Sequence, residues 1–331
     1  MSSVQLMNRI LPQNSHGDTI QPIHMDEAVK LWQDTNVGTE CPTVFKQRVW
    51  TNSAALSRLE NLLSCSNVVD RARLHGCAAP GSGDWLHAVP SDKIGTRLTN
   101  EQLRVAVCLR LGANVFLQHT CVCGAESDSK GNHALCCKLQ RGRLARHSLC
   151  NGIILRALNS AGIPSEIEPT GLSRTDGKRP DGVSLIPWSH GKSVVWDFTC
   201  AHRLATSMRH LASEPGAPIA AYREGLKASK YKELTMQNSL VFHPVSCETL
   251  GGFGPQSMDF VKEICAKIAA KTGGKRASTF LRQRLGIAIQ IGNTVAISEA
   301  ISKYSSASDQ EEISSIWLLS WSLFLFITLF N

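Results

Sequence analysis

The sequence predicts an α+β fold whose centre runs helix, strand, strand, strand, helix, strand between residues 143 and 245. Three observations carry this expectation. The apolar period changes from helical to alternating after Gly162 and Pro164. The segment PWSHGK separates two strand candidates with Pro and Gly at the turn, as a hairpin requires. Two long helical patterns, 258–271 and 279–301, then close the fold. Hydrophobic residues are 43% of the 331-residue chain and charged residues 19%, which permits a packed core and excludes wholesale disorder.

Taken in order, residues 1–75 are weakly patterned, with helices expected near Asp26–Trp32 and Ala54–Leu63. CAAPGSGDW (Cys77–Trp85) is dense in loop-forming residues. Thr99 and Gln102 form the two ends of a capping box, so a helix starts there, carries Leu103, Val107, Cys108 and Leu111 on one stripe, and stops at Gly112. A loop-like cysteine segment follows, then a basic run of Lys138, Arg141, Arg143 and Arg146. That run opens a helix whose stripe is Cys150, Ile153, Ile154, Ala157, Leu158 and Ala161, ended by Gly162 and Pro164. Strands are expected at Ser165–Glu168, Asp181–Ile186, Ser193–Cys200 and Ser239–Val245, with a helix over 219–234 before the last. In the third strand Val194, Trp196 and Phe198 share one face, and Val195, Asp197 and Thr199 the other.

The chain carries 35 Lys and Arg against 27 Asp and Glu, a formal charge of +8. That sign favours an acidic partner, of which nucleic acid, DNA or RNA, is the commonest. The 12 cysteines are too few for a disulfide scaffold, and the N-terminus shows no apolar run of signal-peptide length, so a reducing nuclear or cytoplasmic setting and metal-ligand cysteines are expected. No small-molecule substrate is legible; GGFG at 251–254 lacks the Lys-Ser/Thr of a phosphate-cradling loop. Residues 313–330 are uncharged and strongly apolar, about 27 Å as a helix. They point either to a C-terminal membrane contact or to a core helix.

Cys121, Cys123, His133 and Cys137 supply four borderline-soft ligands within a short loop, the set that zinc prefers. Cys136 or His147 could replace one of them. The adjoining Lys138, Arg141, Arg143 and Arg146 would then offer phosphate contacts. Asp181 precedes the second strand and Asp197 lies mid-way along the third, so a hairpin would bring both carboxylates together. An aspartate in so apolar a strand needs a cation or an ion pair. Two hard oxygens suit Mg²⁺, with Glu168 a third acid nearby. Lys227 and Lys230 share a helix face with Tyr231 and could supply a cation. A structural aspartate facing solvated lysines is the alternative.

RPDG, a strand, VVWDFT and a helix ending KASKY together resemble the PD-(D/E)xK nuclease pattern. They resemble in particular the restriction-like endonuclease at the C-terminus of site-specific non-LTR retrotransposons, in which a zinc knuckle (here CVCG…GNHALCC), an Arg-His pair (Arg146-His147) and an acidic step (Glu168-Pro169) precede the core. The resemblance spans about residues 75–300. It implies an αβββαβ nuclease core with flanking helices, and Mg²⁺ held by Asp181 and Asp197. It also implies a catalytic cation from Lys227 or Lys230, since Thr199 stands where the usual lysine would be. The implied activity is nicking of DNA to prime reverse transcription. The implied division is a post-polymerase helical segment (1–115), a zinc knuckle (116–142), the endonuclease (143–301) and a hydrophobic tail (302–331). None of the three tyrosines is followed by x-Asp-Asp, so the chain resembles a detached piece of such an element. A catalytically inactive nucleic-acid-binding remnant and a tail-anchored membrane protein are the alternative readings.

Overall fold

The computed structural model describes Lys30, Trp32–Asp34, 47–174 and 176–304. The chain divides into two units at Cys65/Ser66. Within the first, the described structure is mainly one helix, α1 (Gln47–Cys65), which covers the helix expected at 54–63. The helix expected at 26–32 and the apolar stretch 313–330 lie mostly or wholly outside the described residues.

The second unit is mixed α/β. It opens with α2 (Val68–Ala78), a 3₁₀ turn (Asp84–His87) and α3 (Asn100–Leu111). The capping box is present: Gln102 N–H donates to Thr99 Oγ1 (3.2 Å) and Thr99 N–H to Gln102 Oε1 (2.9 Å), while Gly112 ends the helix at φ 72°. The small hairpin β1 (His119–Thr120) and β2 (Glu126–Ser127) leads to the short helix α4 (Asn132–Cys136). Then follow α5 (Gly142–Ser160), β3 (Ser165–Ile167), β4 (Gly182–Ser184), β5 (Ser193–Ala201), a 3₁₀ turn (Thr206–Leu211), α6 (Pro218–Gln237), β6 (Leu240–Glu248), α7 (Pro255–Thr272) and α8 (Ala277–Tyr304).

The four-stranded sheet has the order β3-β4-β5-β6. The first three strands are antiparallel; β6 runs parallel to β5 from Ser193↔Leu240 to Ala201↔Glu248. A parallel pair needs a long crossover, and α6 supplies it. Val194, Trp196 and Phe198 face one core with Cys150, Ile154 and Leu158 of α5, Phe260 and Ile264 of α7, and Leu285 and Ile289 of α8. The opposite face of β5 and β6 lies under α6, where Tyr231 stacks on Phe242 with ring centroids 4.7 Å apart. Trp196 spans the edge of the first core so closely that a Cβ on Gly182 would fall inside its indole ring.

A second core joins Val105 and Leu109 of α3, Phe116, Leu135 of α4, and Ala296 and Ile297 of α8. Segments on either side of residue 142 thus share one interior. Among the described residues, one helix is long and apolar enough to span a membrane, Ala277–Ser302, with a mean hydropathy of 1.2. That window is 67% buried within the protein, which is equally what a core helix of a soluble protein presents.

Candidate functional site

The metal-ligand cluster is built by a hairpin and a helix start. After β1, Cys121 N–H donates to Ala125 O (2.8 Å) and Gly124 N–H to Cys121 O (2.8 Å), a tight turn that Gly124 completes at φ 82°. Asp128 accepts N–H bonds from Lys130, Asn132 and His133 and so fixes the start of α4, which carries His133. Cys137 caps its end. One ligand atom from each of Cys121, Cys123, His133 and Cys137 lies within 4.8 Å of all the others. Cys121 Sγ and Cys137 Sγ are 3.8 Å apart, far beyond a disulfide and close to the edge of a tetrahedron with metal–sulfur bonds of about 2.3 Å. Cys123 Sγ is 3.3 Å from His133 Nε2. Burial, and secondarily the neighbouring thiols of Cys121 and Cys123, push the Cys137 thiol up to about 11. A soft cation reverses that balance by taking the thiolates as ligands. The donor set can hold a structural metal such as zinc. Cys136 is not in the set: its thiol points to the carbonyls of Asn132 and His133. His147 is not in it either.

The basic run after the cluster divides in two. Lys138, Arg141 and Arg143 are exposed, and Arg141 lies 3.7 Å from Glu299. Arg146 does not join them as a surface phosphate ligand. It is 1% exposed, donates to Asn293 Oδ1 (3.0 Å) and Leu135 O (2.8 Å), and braces α5 against α4 and α8. The physical reason is its position: Arg146 precedes Cys150, Ile153 and Ala157 on the buried stripe of α5.

The two aspartates do come opposite each other. The β4–β5 register pairs Gly182 with Trp196, and one step further sets Asp181 across from Asp197. Asp181 N–H donates to Trp196 O (2.9 Å), and Asp181 Oδ2 accepts from Phe198 N–H (2.6 Å), so the carboxylate extends the ladder just before β4 begins. Asp197 is 4% exposed, and its Oδ1 accepts from Lys227 Nζ at 2.5 Å. Lys230 meets neither acid; its ammonium sits 5.0 Å from the Tyr231 ring centre. Tyr231 donates to Arg179 O (2.8 Å). Burial first, then the proximity of Asp197 and Asp181, holds its phenol far above the usual range. Glu168 is exposed, takes a left-handed backbone (φ 53°) and pairs with Arg179 instead of turning to the other acids.

His147, expected from sequence as a substitute zinc ligand or as half of the Arg-His pair, is instead the partner of Asp181. Its Nε2 lies 2.9 Å from Asp181 Oδ2. That hydrogen bond raises the imidazole against the lowering effect of burial. At Asp181, burial works to raise the carboxyl, but the bonds to His147 and Phe198 outweigh it and the group is held below its ordinary value. Asn151, one turn along, contacts the His147 ring at 3.4 Å and accepts from Trp196 Nε1 (3.0 Å). The available signal was spacing: His147 and Asn151 are i, i+4 on one helix, flanking the buried stripe.

The arrangement is thus two opposed carboxylates, each already matched by a nitrogen base, and, separately, a thiol-imidazole cluster. No known family model matches the sequence, and no curated protein matches it.

Proposed function

We propose that the chain is a metal-dependent DNA endonuclease domain of the restriction-like type found at the C-terminus of site-specific non-LTR retrotransposons. The observation that carries the reading is the opposition of Asp181 and Asp197 across paired strands, with Lys227 reaching Asp197 from the crossover helix. The order α5, β3, β4, β5, α6, β6 supports it, because it sets one acid immediately before the second strand, the other on the third, and the amine on the following helix, as the PD-(D/E)xK pattern has them. Asp181 and Asp197 would hold Mg²⁺, two hard oxygen donors being what that ion accepts from a protein. Such an ion supplies a water of lowered pKa and charge for a phosphodiester. The chain's own part is positional: His147 and Phe198 N–H orient Asp181, and Lys227 brings a second cation toward the substrate phosphate. The Cys₃His set would hold zinc and staple the knuckle. Nicking would leave a 3′ end for reverse transcription, and a nuclear or cytoplasmic setting accords with the chemistry. With Mg²⁺ and supercoiled plasmid, the protein should produce nicked circles, and Asp197→Ala should produce none. Absence of metal-dependent nicking, or equal nicking by Asp197→Ala, rejects the proposal.

One observation favours a second reading, a nucleic-acid-binding remnant without catalysis. The charges of Asp181 and Asp197 are already met by His147 and Lys227 without any ion. Salt-sensitive DNA binding with no cleavage under any divalent metal would select it.

A further inference from the structure

The β3–β4 connection carries a second group of cations. Near its tip, Gly177 N–H donates to Arg174 O (2.9 Å), Arg174 N–H to Lys178 O (2.8 Å), and Lys178 N–H to Asp176 Oδ1 (3.2 Å). The turn holds Arg174 and Lys178 side by side, sharing one partly exposed carboxylate, Asp176, at 3.6 and 3.7 Å. The Arg174 guanidinium lies 5.6 Å from the centre of the Tyr231 ring, and Lys230 Nζ 5.0 Å from the same ring. Two cations drawn from different elements therefore meet on one buried tyrosine, whose hydroxyl end points toward the Asp181–Asp197 pair. Among the described residues Lys230 forms no ion pair. Its ammonium is held below its ordinary value by burial, and further by Lys227, Arg174 and Lys178 nearby. Asp176 and Asp197 offset this crowding, but four cations, Lys227 among them, face two carboxylates, so an entering anion is favoured, and the exposed Lys178 marks the open end of the group. A row of cations leading to a pair of acids fits a regularly charged strand better than a single small anion.

We propose that Arg174, Lys178 and Lys230 form a phosphate-binding track that guides the sugar–phosphate backbone of a nucleic-acid strand toward the acids. This rests on the nucleic-acid reading above and assigns the strand's path, separately from the exposed Lys138, Arg141 and Arg143. The test is fluorescence anisotropy of a short labelled duplex without added magnesium, over about 50 to 300 mM salt, where each lost phosphate contact lowers the log–log slope by about 0.9. The variant R174Q/K178Q/K230Q should lose about 2 to 3 in slope and bind roughly tenfold or more weakly. Lys178→Gln alone, an exposed change that leaves the Tyr231 packing intact, should lose about 0.9. Wild-type slope and affinity in the triple variant overturn the track even if the wild type nicks plasmid. A reduced slope sustains it even if no metal supports nicking. Displacement of the duplex by polyaspartate as readily as by unlabelled DNA overturns it in favour of plain ion exchange, and failure of the wild type to bind at low salt overturns both proposals.

Discussion

Asp197 and Lys227 illustrate what single side chains contribute. A carboxylate so enclosed costs several kcal/mol if left alone, and the ammonium 2.5 Å away offsets that. Lys227→Met should therefore destabilise the protein by about 2–3 kcal/mol in urea unfolding, and adding Asp197→Asn should return much of it. A loss no larger than an ordinary surface change would show that the pair is not coupled. Two histidines titrate in opposite senses. His202 is buried between Thr249 Oγ1 (2.8 Å) and Asn132 Oδ1 (3.2 Å), and since Asn132 Nδ2 donates to Asp128, the His202 Nε2 carries the proton toward Asn132 Oδ1. Burial, with Arg146 secondary, lowers this histidine to about 4. The unfolded chain then binds the extra proton between about pH 6.5 and 4, so stability is complete above that window and falls through it. His147, raised by Asp181, contributes stability that is complete below about pH 6.5 and is lost as pH climbs through its raised value. Unfolding free energies of His202→Gln and His147→Gln against pH, with magnesium absent, should flatten the acid limb in the first and the alkaline limb in the second. Much of this scale was legible: the zinc-type ligands and both aspartates follow from residue chemistry and spacing. Arg146 did not, because its charge suggested surface while its place on the α5 stripe, the stronger signal, put it inside.

At the scale of elements, local sequence was a good guide wherever the determinants were local. The capping box of α3 and the Gly162 stop appear where the pattern puts them, and Val194, Trp196 and Phe198 share one core face of β5, although both faces of that strand are buried. The hairpin forms, but β4 is only three residues long; Asp181, just before it, keeps its backbone bond to Trp196 O and gives its carboxylate to Phe198 N–H. The parallel pairing of β5 with β6 is a long-range match that periodicity does not encode. What secures the crossover is also remote in sequence. Arg203 and Glu248, each 1% exposed, pair at 2.8 Å; Arg203 gathers the carbonyls of Ala212, Glu214 and Gly216, and Glu248 accepts Ile219 N–H at the start of α6. This clamp sets the helix that delivers Lys227. Glu248→Gln should cost about 3–5 kcal/mol, since it leaves a buried guanidinium uncompensated. A thermal midpoint equal to that of the wild type would refute the clamp.

Over the whole second unit, the knuckle is part of the interior and not an appendage. Leu135 of α4 lies in the same core as α3 and α8. Purified protein should therefore carry one zinc per chain by elemental analysis. Stripping it, or making Cys123→Ser, should lower the thermal midpoint by the equivalent of several kcal/mol. A metal-free protein of unchanged midpoint would show that the thiols are only packed. The apolar composition of α8 has the same origin: a helix shared by both cores is hydrophobic nearly all round, which is why it resembles a membrane span by length and hydropathy alone.

Consecutive residues of α5 engage different neighbours, Arg146 the carbonyl of Leu135 and His147 the carboxylate of Asp181. The start of α5 is thus tied, at one step, both to α4 and to Asp181 beside the sheet. Loss of the cluster that ends α4 should therefore loosen Arg146 and, with it, the neighbouring His147–Asp181 contact. Under the nuclease reading proposed above, cutting would then depend on soft metal as well as on magnesium.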